Sequence, residues 1–496
     1  MNELKKDIFL RLKNKENQFL FSTFSGINYS SKDVLNYYFF ILKEISKLDF
    51  QNIVLICNSS IESHVLSLFF VLSEFNITLL NKDSIENLNW IKKPVIISLN
   101  LQTHEKLKYT SKKELLYLAP TLDKFLKYTH PSFDLNELTI SYFSNTKVGK
   151  TIFLSSGSTG TPKVIPLTYE QINSCYLNVF DGFLADLSFQ NILSVHDTSF
   201  VIILPFIFCL ASNKKANLIA SDSNSLTNPI IKLSGSIHTF KNFIIISVPS
   251  VFRFLSNLLK DKFEKFVISE NFISCGEPLD KKLALKIYSC EPKSFLNLYG
   301  STEVSPWILW LNVIDFINTH KNKNNLPAVL PVGKSLPSTE LKLSMDSELL
   351  VYSNSLFSGY LNQDNKKHFK DFKGKLFFKT GDIFELIDNQ FYCRGRLNNS
   401  LKMAGIFINP ILLELEIKDI LELDNVLILP DTTKIIIKII IFSDKIDKEL
   451  MKDLKIIITK DTLKSIPKEI IFDGENIEYL QSGKINRNFY KNKYIS

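Results

Sequence analysis

Hydrophobic and polar positions along the first third of the chain predict helices and strands in turn. Apolar residues with helical spacing span 31–48 and 61–75, and short apolar runs typical of buried strands occupy 53–57, 77–80 and 94–99. Strands that alternate with helices usually form a parallel or mixed sheet covered by helices. This part of the chain therefore predicts an α/β fold.

The alternation continues to about residue 300 and then changes. Further strands are predicted from apolar runs at 151–154, 243–247 and 271–274. Between 331 and 392, short strands are separated by Ser, Asn, Asp and Gly, a pattern typical of an antiparallel sheet or a small β-barrel.

The last hundred residues return to mixed helix and strand. The pattern predicts a helix at 410–421, a strand at 434–442 and a helix at 448–460. We place a domain boundary near Leu397. The N-terminal domain, 1–397, is expected to be large and multi-layered, with two βα-type sheets and a small antiparallel β-barrel. The C-terminal domain, 398–496, is expected to be a small mobile α+β unit.

Composition indicates a globular protein and argues against two kinds of partner. Hydrophobic residues make up 45% and charged residues 22% of the 496 positions. The net charge is +8, but only five residues are arginine and the lysines are spread along the chain. Because base readout and phosphate clamping favour arginine, we expect no nucleic-acid binding. The longest apolar run, 200–211, contains Pro205 and is too short to span a bilayer.

Cysteine usage and the N-terminus predict a cytoplasmic location. The six cysteines form no C-x-x-C pair and no metal-binding spacing, so reduced thiols are expected. The first residues carry acids and lack the apolar core of a signal peptide.

Glycine is scarce, and one of its clusters predicts a phosphate-binding loop. The chain has 16 glycines in 496 residues, about half of average usage. Residues 154–163 read Leu-Ser-Ser-Gly-Ser-Thr-Gly-Thr-Pro-Lys. Backbone amides and small hydroxyls in such a loop donate to phosphate oxygens, and the lysine adds a point charge. The spacing differs from that of a P-loop kinase motif.

Five later stretches give this loop a context. They are Ser-Cys-Gly-Glu-Pro-Leu (274–279), Asn-Leu-Tyr-Gly-Ser-Thr-Glu (297–303), Lys-Thr-Gly-Asp (379–382), the Arg-Gly-Arg-Leu segment 394–410, and Gln-Ser-Gly-Lys-Ile-Asn-Arg (481–487). In this order the chain resembles the adenylate-forming (AMP-binding) synthetase superfamily, which includes acyl-CoA synthetases, peptide-synthetase adenylation domains and luciferases. The resemblance covers residues 20 to 490.

The resemblance implies an ATP site. Its nucleotide-binding residues would be Ser155, Ser156, Gly157, Ser158, Thr159, Gly160, Lys163, Gly276, Glu277, Tyr299, Gly300, Ser301, Asp382 and Arg396. The loop would hold the β- and γ-phosphates, and the ring of Tyr299 would stack on adenine. Asp382 would accept both ribose hydroxyls, and Arg396 would reach the ribose and phosphates.

Three further residues are implied to take part in catalysis. Thr302 would donate to the α-phosphate and Glu303 would hold Mg²⁺, since a hard cation prefers carboxylate oxygen. Lys484 would reach the substrate carboxylate and the α-phosphate during adenylate formation.

The resemblance also implies a second step with a thiol acceptor. Lys402 and Gly405 would line the thiol tunnel, and Asn398 would be the hinge, where the family usually has aspartate or lysine. The acceptor would be CoA or the phosphopantetheine of an acyl or peptidyl carrier protein, supplied in trans.

The acyl pocket leaves alternatives open. Aligning 191–197 with the Phe-Asp-x-Ser segment of amino-acid-activating members puts Ile192 where those members have an amine-binding aspartate. That alignment modestly favours a substrate without an α-amine. His196 and Asp197 are alternatively pocket groups, and His196 is equally well explained as a hydrogen-bonded core histidine.

The predicted function is ATP-dependent activation of a carboxylic acid as acyl-AMP, with pyrophosphate release, followed by transfer to a thiol. One alternative is amino-acid adenylation for a stand-alone carrier protein. The others are a catalytically silent nucleotide-binding scaffold and kinase-like phosphoryl transfer.

Overall fold

The computed structural model describes most of the chain. The described part excludes residues 1–2, 14–18, 88–89, 111–115, 129–141, 143–148, 156–161, 214, 223–227, 398–400, 404–405, 422, 424, 432–435, 443–451, 453–466, 475–476, 479–484 and 496. Two large sheets with helices, a smaller antiparallel sheet and a C-terminal three-stranded sheet make up the fold. The predicted mixed α/β architecture is confirmed.

Residues 3–182 supply one large sheet and the first helices. In chain order the elements are α1 (Glu3–Lys13), β1 (Phe19–Thr23), β2 (Asn28–Ser30), α2 (Ser31–Ile45), β3 (Asn52–Cys57), α3 (Ile61–Val71), β4 (Asn76–Asn81), β5 (Pro94–Ser98), α4 (Leu101–Thr110), β6 (Leu116–Leu118), α5 (Leu122–Tyr128), β7 (Thr151–Ser155), β8 (Lys163–Leu167) and α6 (Tyr169–Gly182). Six strands form a sheet in the order β6-β5-β3-β4-β7-β8, parallel except for the β7–β8 pair. Strands buried on both faces read as continuous apolar runs, as β3 and β5 do.

Residues 191–335 supply most of the second large sheet. The elements are β9 (Asn191–Leu193), α7 (Ile203–Ser212), β10 (Asn217–Ala220), α8 (Pro229–Ser236), β11 (Phe243–Ser247), α9 (Pro249–Leu259), α10 (Phe263–Val267), β12 (Asn271–Cys275), α11 (Lys281–Tyr288), β13 (Ser294–Tyr299), β14 (Leu309–Asn312), α12 (Val313–Thr319) and β15 (Lys334–Ser335). The nine strands run in the order β15-β14-β13-β12-β11-β9-β10-β1-β2, and those from β13 to β1 are parallel. The long apolar run at 200–211 corresponds to the buried helix α7.

The third sheet is antiparallel, as the broken pattern after residue 331 predicts. Its strands are β16 (Thr339–Leu343), β17 (Glu348–Ser353), β18 (Phe369–Phe372), β19 (Lys375–Ile387) and β20 (Gln390–Arg396). The long strand β19 pairs with β17 and β18 and, through its second half, with β20. In the described pairings these strands form an open sheet in the order β16-β17-β19-β18, with β20 paired to β19 as a branch, where a small barrel was expected.

The C-terminal part has its own sheet and core. Its elements are β21 (Leu401–Met403), β22 (Ile406–Ile408), α13 (Pro410–Leu421), β23 (Val426–Asp431), β24 (Ile436–Ile441), β25 (Lys468–Phe472) and α14 (Arg487–Tyr494). Strands β23, β24 and β25 form the sheet, against which α13 packs apolar side chains. The helix predicted at 448–460 lies, apart from Lys452, outside the described residues. The boundary near Leu397 stays a prediction.

A salt bridge connects this C-terminal part to the second sheet's helices. Lys281 Nζ in α11 lies 2.7 Å from Asp419 Oδ2 in α13. Both side chains are largely buried, so the ion pair is partly shielded from water.

The cysteines are free thiols, and four of the six are buried. This agrees with the expectation of reduced thiols. Among the described residues, helices that combine the length and apolar character needed to cross a bilayer are absent.

Arg11 fastens the N-terminal helix to the core. Its guanidinium is almost fully buried and donates to the carbonyl oxygen of Leu210 at 3.2 Å and to those of Asn213 and Ala216. Carbonyl groups at the end of a helix lack intrahelical donors, so this cation satisfies the end of α7 and the turn after it.

We predict that Arg11→Ala lowers the thermal unfolding midpoint by several degrees, because it leaves buried carbonyl oxygens without donors. Arg394→Ala is the matched control, since that guanidinium pairs with Glu385 at the surface. Differential scanning calorimetry checks both variants. Equal small losses for the two variants would contradict this role of Arg11.

Candidate functional site

Four neighbouring parallel strands bring sequence-predicted residues to one edge of the nine-stranded sheet. His196 follows β9, and β11, β12 and β13 end at Ser247, Cys275 and Tyr299. The carboxyl ends of parallel strands lie at the same edge, where open α/β sheets commonly bind ligands. The three strand spacings from β9 to β13 span roughly 14 Å.

Tyr299 and Asp382 join this edge to the antiparallel sheet. The Tyr299 hydroxyl donates to Asp382 Oδ2 at 2.6 Å, and its ring packs edge-on against Phe384 with centroids 4.8 Å apart. Arg396 lies opposite Asp382 in the β19–β20 pair, and its Nε is 2.8 Å from Asp382 Oδ1. The structure therefore brings together the residues expected at adenine and ribose.

The Asp382 carboxylate is buried and tightly held. Burial raises its pKa, while the Arg396 cation and the Tyr299 hydroxyl act in the opposite direction. The same carboxylate raises the pKa of Arg396. The pKa of Tyr299 is also raised, mainly by burial and to a smaller extent by the Asp382 charge. A carboxylate offers about four lone-pair positions. Tyr299 and Arg396 occupy two of these positions, so Asp382 can still accept hydrogen bonds from the hydroxyl groups of a ligand.

A second cluster joins the phosphate loop to the turn after β13. Ser155 and Lys163 pair across β7 and β8, at the two ends of the loop. Lys163 Nζ lies 3.4 Å from the hydroxyl oxygen of Tyr360, and that hydroxyl donates to Glu303 Oε1 at 2.7 Å. Glu303 follows Tyr299 by four residues in the turn after β13, and its carboxylate contributes to the raised pKa of Arg396.

The turn that carries Thr302 and Glu303 depends on close backbone packing. A Cβ at Gly300 would lie 1.9 Å from the carbonyl oxygen of Pro306, so only glycine fits there. The Val304 amide donates to the carbonyl oxygen of Ser301 at 3.1 Å. Thr302 is half-buried in this same turn, which borders the cluster.

Gly276 and Glu277 follow β12 at the same edge. Gly276 has a φ of +77°, a conformation that favours glycine. The Glu277 carboxylate accepts a hydrogen bond from the Ser250 amide at 3.0 Å, near the start of α9. This contact orders the segment between β12 and α11, where the resemblance places the adenine pocket.

The described acids fit a magnesium ion bound together with a phosphate ligand. Among the described residues, groups of three or more His, Cys, Asp or Glu side chains that would form a protein-only metal site are absent. Mg²⁺ is usually held by one or two carboxylates plus phosphate oxygens and water. Glu303, with Oε1 engaged by Tyr360 and its other lone pairs remaining, matches such a ligand.

The loop after β9 corrects one sequence-based expectation. Ile192 lies inside β9, fully buried between β10 and β11, so it cannot line an acyl pocket. Asp197 lies instead at the strand's carboxyl end, half-buried, with Oδ1 accepting from the Ser199 amide at 2.8 Å. Burial raises the pKa of Asp197. His196 Nε2 contacts Ser247 Oγ at 2.9 Å, so this histidine bridges the ends of β9 and β11.

Some predicted site residues lie outside the described residues. These are Ser156, Gly157, Ser158, Thr159, Gly160, Asn398, Gly405 and Lys484. Lys402 lies in β21, although its side chain is also outside that part. Their roles stay predictions.

Sequence reasoning missed Tyr360, whose hydroxyl contacts Glu303 and Lys163. The one available signal for Tyr360 was its neighbour Gly359, in a chain that has few glycines. Gly359 has a φ of +130°.

Parts of the chain are similar in sequence to known proteins. Residues 145–361 match the family model described as AMP-binding enzyme. A D-alanine–D-alanyl carrier protein ligase of Staphylococcus epidermidis is 27% identical over 271 residues, covering 51% of this chain and 51% of that protein. The corresponding ligase of Lactococcus lactis is 26% identical over 319 residues, covering 62% and 60%. The chain thus spans between half and two thirds of the length of these relatives.

Solved structures share the fold over the whole chain. ATP-bound MatB from Rhodopseudomonas palustris has a TM-score of 0.73 at 16% identity, covering 100% of this chain and 99% of that chain. The adenylation domain AlmE of Vibrio cholerae, in complex with glycyl-adenosine-5′-phosphate, has a TM-score of 0.64 at 16% identity, covering 99% and 98%. These likenesses confirm the predicted fold.

A buried histidine supports the loop that carries His196 and Asp197. His64 Nδ1 donates to the carbonyl oxygen of Ser60 at 2.8 Å, which leaves Nε2 to accept from the Ser194 hydroxyl, also at 2.8 Å. Burial lowers the pKa of His64 from 6.5 to about 4. Between these values the unfolded chain binds more protons than the folded chain, so stability falls as the pH drops.

We predict that His64→Gln reduces the loss of stability that accompanies a fall in pH from 6.5 to about 4. The variant should be less stable than the wild type at pH 7, and the gap between their unfolding midpoints should narrow as the pH approaches the lowered pKa of His64, about 4. His196, whose pKa is also lowered to about 4, and carboxyls such as Asp197 titrate in both proteins and cancel in the comparison. Calorimetry across this range checks it, and parallel profiles would contradict it.

Proposed function

We propose, from the match of residues 145–361 to the family model described as AMP-binding enzyme and from the geometry of the site, that the chain activates a small amino acid as its adenylate. The thiol sulfur of a carrier protein's phosphopantetheine would then attack the carbonyl carbon of the adenylate, so that a thioester forms, the bond to the phosphate oxygen breaks, AMP leaves with the electron pair and the thiol proton passes to solvent. The observation that supports this most is that Tyr299 and Arg396 both contact Asp382, next to the turn that carries Glu303.

In the first half-reaction a carboxylate oxygen of the substrate attacks the α-phosphorus of ATP. A bond forms between these two atoms, and the bond from the α-phosphorus to the bridging oxygen breaks, so pyrophosphate leaves with the electron pair. The chain's contribution is positioning and charge neutralisation. Asp382 holds the ribose, Lys163 faces the departing phosphates, and Lys484 approaches the reacting carboxylate. Mg²⁺ bound at Glu303 would supply further neutralisation of phosphate charge.

Asp197 is the proposed partner of the substrate ammonium. A half-buried carboxylate at the carboxyl end of β9 offers the charge that a buried amine requires. With Asp197 as the amine-binding position, the reason for favouring a substrate without an amine, which was the presence of Ile192 at that position, no longer applies. The names of the relatives specify D-alanine, a small amino acid. We therefore propose D-alanine as the first substrate to test.

Thiol transfer requires a second arrangement of the C-terminal part. We propose that this part turns about Asn398, withdraws Lys484 and presents the Lys402–Gly405 segment to the thiol. Arg487, three residues beyond Lys484, contacts Glu414, which attaches the start of α14 to α13. The Lys281–Asp419 salt bridge joins α11 and α13, so a rotation that separates these helices would break it.

ATP–pyrophosphate exchange tests the proposal. D-alanine, L-alanine and propionate are compared, because propionate keeps the size of alanine but lacks the amine. Exchange with alanine and little with propionate is expected. Exchange with propionate at least as fast would favour the acid:thiol ligase alternative. Formation of ADP instead of AMP would indicate kinase-like chemistry, and absence of exchange with all acids in a folded protein would favour a silent scaffold.

We predict that Asp197→Asn lowers kcat/KM for D-alanine about a hundredfold or more, because a buried ammonium loses its counter-charge. Exchange with propionate should change little. Asp186→Asn is the matched control, since Asp186 is an exposed aspartate that precedes β9, while Asp197 follows this strand. Equal losses with alanine and propionate would show that Asp197 supports the loop and does not read the amine.

A further inference from the structure

Tyr360 contacts two of the charged groups expected at the nucleotide phosphates. Its hydroxyl donates to Glu303 Oε1 at 2.7 Å, and its ring lies under Lys163, whose Nζ is 4.9 Å from the ring centroid. Tyr360 is 4% exposed and Glu303 is 9% exposed. A hydrogen bond from a hydroxyl to a buried carboxylate is shorter and stronger than one between neutral groups.

The hydroxyl remains a donor at neutral pH. Burial raises the pKa of Tyr360 first, and the Glu303 carboxylate raises it further. A protonated tyrosine has a single hydrogen to donate, and Glu303 takes it. Lys163, at 3.4 Å from the same oxygen, can use the oxygen lone pairs and the face of the ring.

The loop around Tyr360 is fastened to the strand that leaves the phosphate loop. The Leu361 amide donates to the carbonyl oxygen of Val164 at 3.0 Å, and the Val164 amide donates to Asn362 Oδ1 at 3.0 Å. Asn362 Nδ2 donates to the carbonyl oxygen of Pro162 at 2.8 Å. These three hydrogen bonds join the loop to Pro162 and Val164, the two residues that flank Lys163, and so fix its position relative to Lys163.

The same loop is also fastened to itself and to Glu303. Asn365 accepts from the Tyr360 amide at 2.7 Å and donates to the Tyr360 carbonyl oxygen at 3.0 Å. A Cβ at Gly359 would lie 2.7 Å from the Asn365 side chain, so glycine is required next to Tyr360. The Phe357 amide donates to the backbone oxygen of Glu303 at 2.8 Å. The tyrosine is thus held from both sides.

We propose that Tyr360 is a positioning residue that sets the orientation of the Glu303 carboxylate and the place of the Lys163 ammonium, so that both face the phosphates of a magnesium nucleotide. This inference rests on the proposed function. The hydroxyl occupies Oε1 and leaves the other lone pairs of Glu303 for the cation, and the ring holds Lys163 beside it. Tyr360 itself touches neither the substrate nor the reacting atoms.

The two contacts can be separated by substitution. Tyr360→Phe removes the hydrogen bond to Glu303 and keeps the ring under Lys163. Tyr360→Leu removes both contacts. The matched control is Tyr176→Phe: the Tyr176 hydroxyl donates to Asp7 Oδ2 at 2.8 Å, a tyrosine–carboxylate pair between α6 and α1.

Isothermal titration calorimetry of ATP, with and without MgCl₂, is the measurement. For Tyr360→Phe we predict that the increase in ATP affinity caused by Mg²⁺ falls about tenfold, because a hydrogen bond to a charged group is lost. Affinity for ATP without Mg²⁺ should stay within about twofold of wild type. Tyr360→Leu should lose affinity in both conditions, and Tyr176→Phe should lose it in neither.

Two results would overturn the inference. One is a Tyr360→Phe variant with the magnesium dependence of the wild type. The other is an equal loss of affinity with and without Mg²⁺ in that variant, which would indicate a purely structural role. A wild-type protein that binds no ATP in either condition would overturn the proposed function and this inference with it, so the two failures are distinguishable.

Discussion

The Asp382 carboxylate, held by the Tyr299 hydroxyl and the Arg396 guanidinium, is the interaction on which the site depends. Tyr299 belongs to the nine-stranded sheet, while Asp382 and Arg396 belong to the antiparallel sheet. The carboxylate therefore joins two sheets that share a hydrophobic core, at the point where a nucleotide would bind. Its burial is costly unless it is paired, and both pairing groups are themselves proposed nucleotide contacts.

The same organisation recurs on the phosphate side. Glu303 follows β13 and Lys163 begins β8, so these charges belong to different sheets. Tyr360, from the loop after β17, lies between them and contacts both. In each cluster a tyrosine hydroxyl binds a buried carboxylate, and a cation completes the arrangement. The site is thus assembled from three sheets by short polar contacts within an otherwise apolar framework.

The sequence alone predicts much of this arrangement, for identifiable reasons. Strands such as β3 and β11 are continuous apolar runs, which are recognisable because both faces are buried. Tyr299, Asp382 and Glu303 lie in short glycine-containing motifs, whose composition stands out in a glycine-poor chain. The contacts among them join residues far apart in sequence, and no periodicity specifies such contacts.

The misplaced amine-binding position and the overlooked Tyr360 have one cause: both depend on contacts that are not local in the sequence. The alignment placed the amine-binding position at Ile192, five residues before Asp197. The sequence does not show where β9 ends, and the end of this strand decides which of the two residues lies outside the core. Tyr360 was overlooked because a tyrosine in a loop has no local signature of function, and its role follows from groups that fold beside it. The expected barrel is an open sheet in its described pairings, in which the long strand β19 pairs with β17, β18 and β20.

The most direct measurement is an experimental structure of the protein with Mg²⁺ and a non-hydrolysable ATP analogue. The account predicts ribose hydroxyls within hydrogen-bond distance of Asp382, adenine against Tyr299, and terminal phosphates beside Lys163 and Glu303. A nucleotide bound at another surface, or one whose ribose faces away from Asp382, would contradict it.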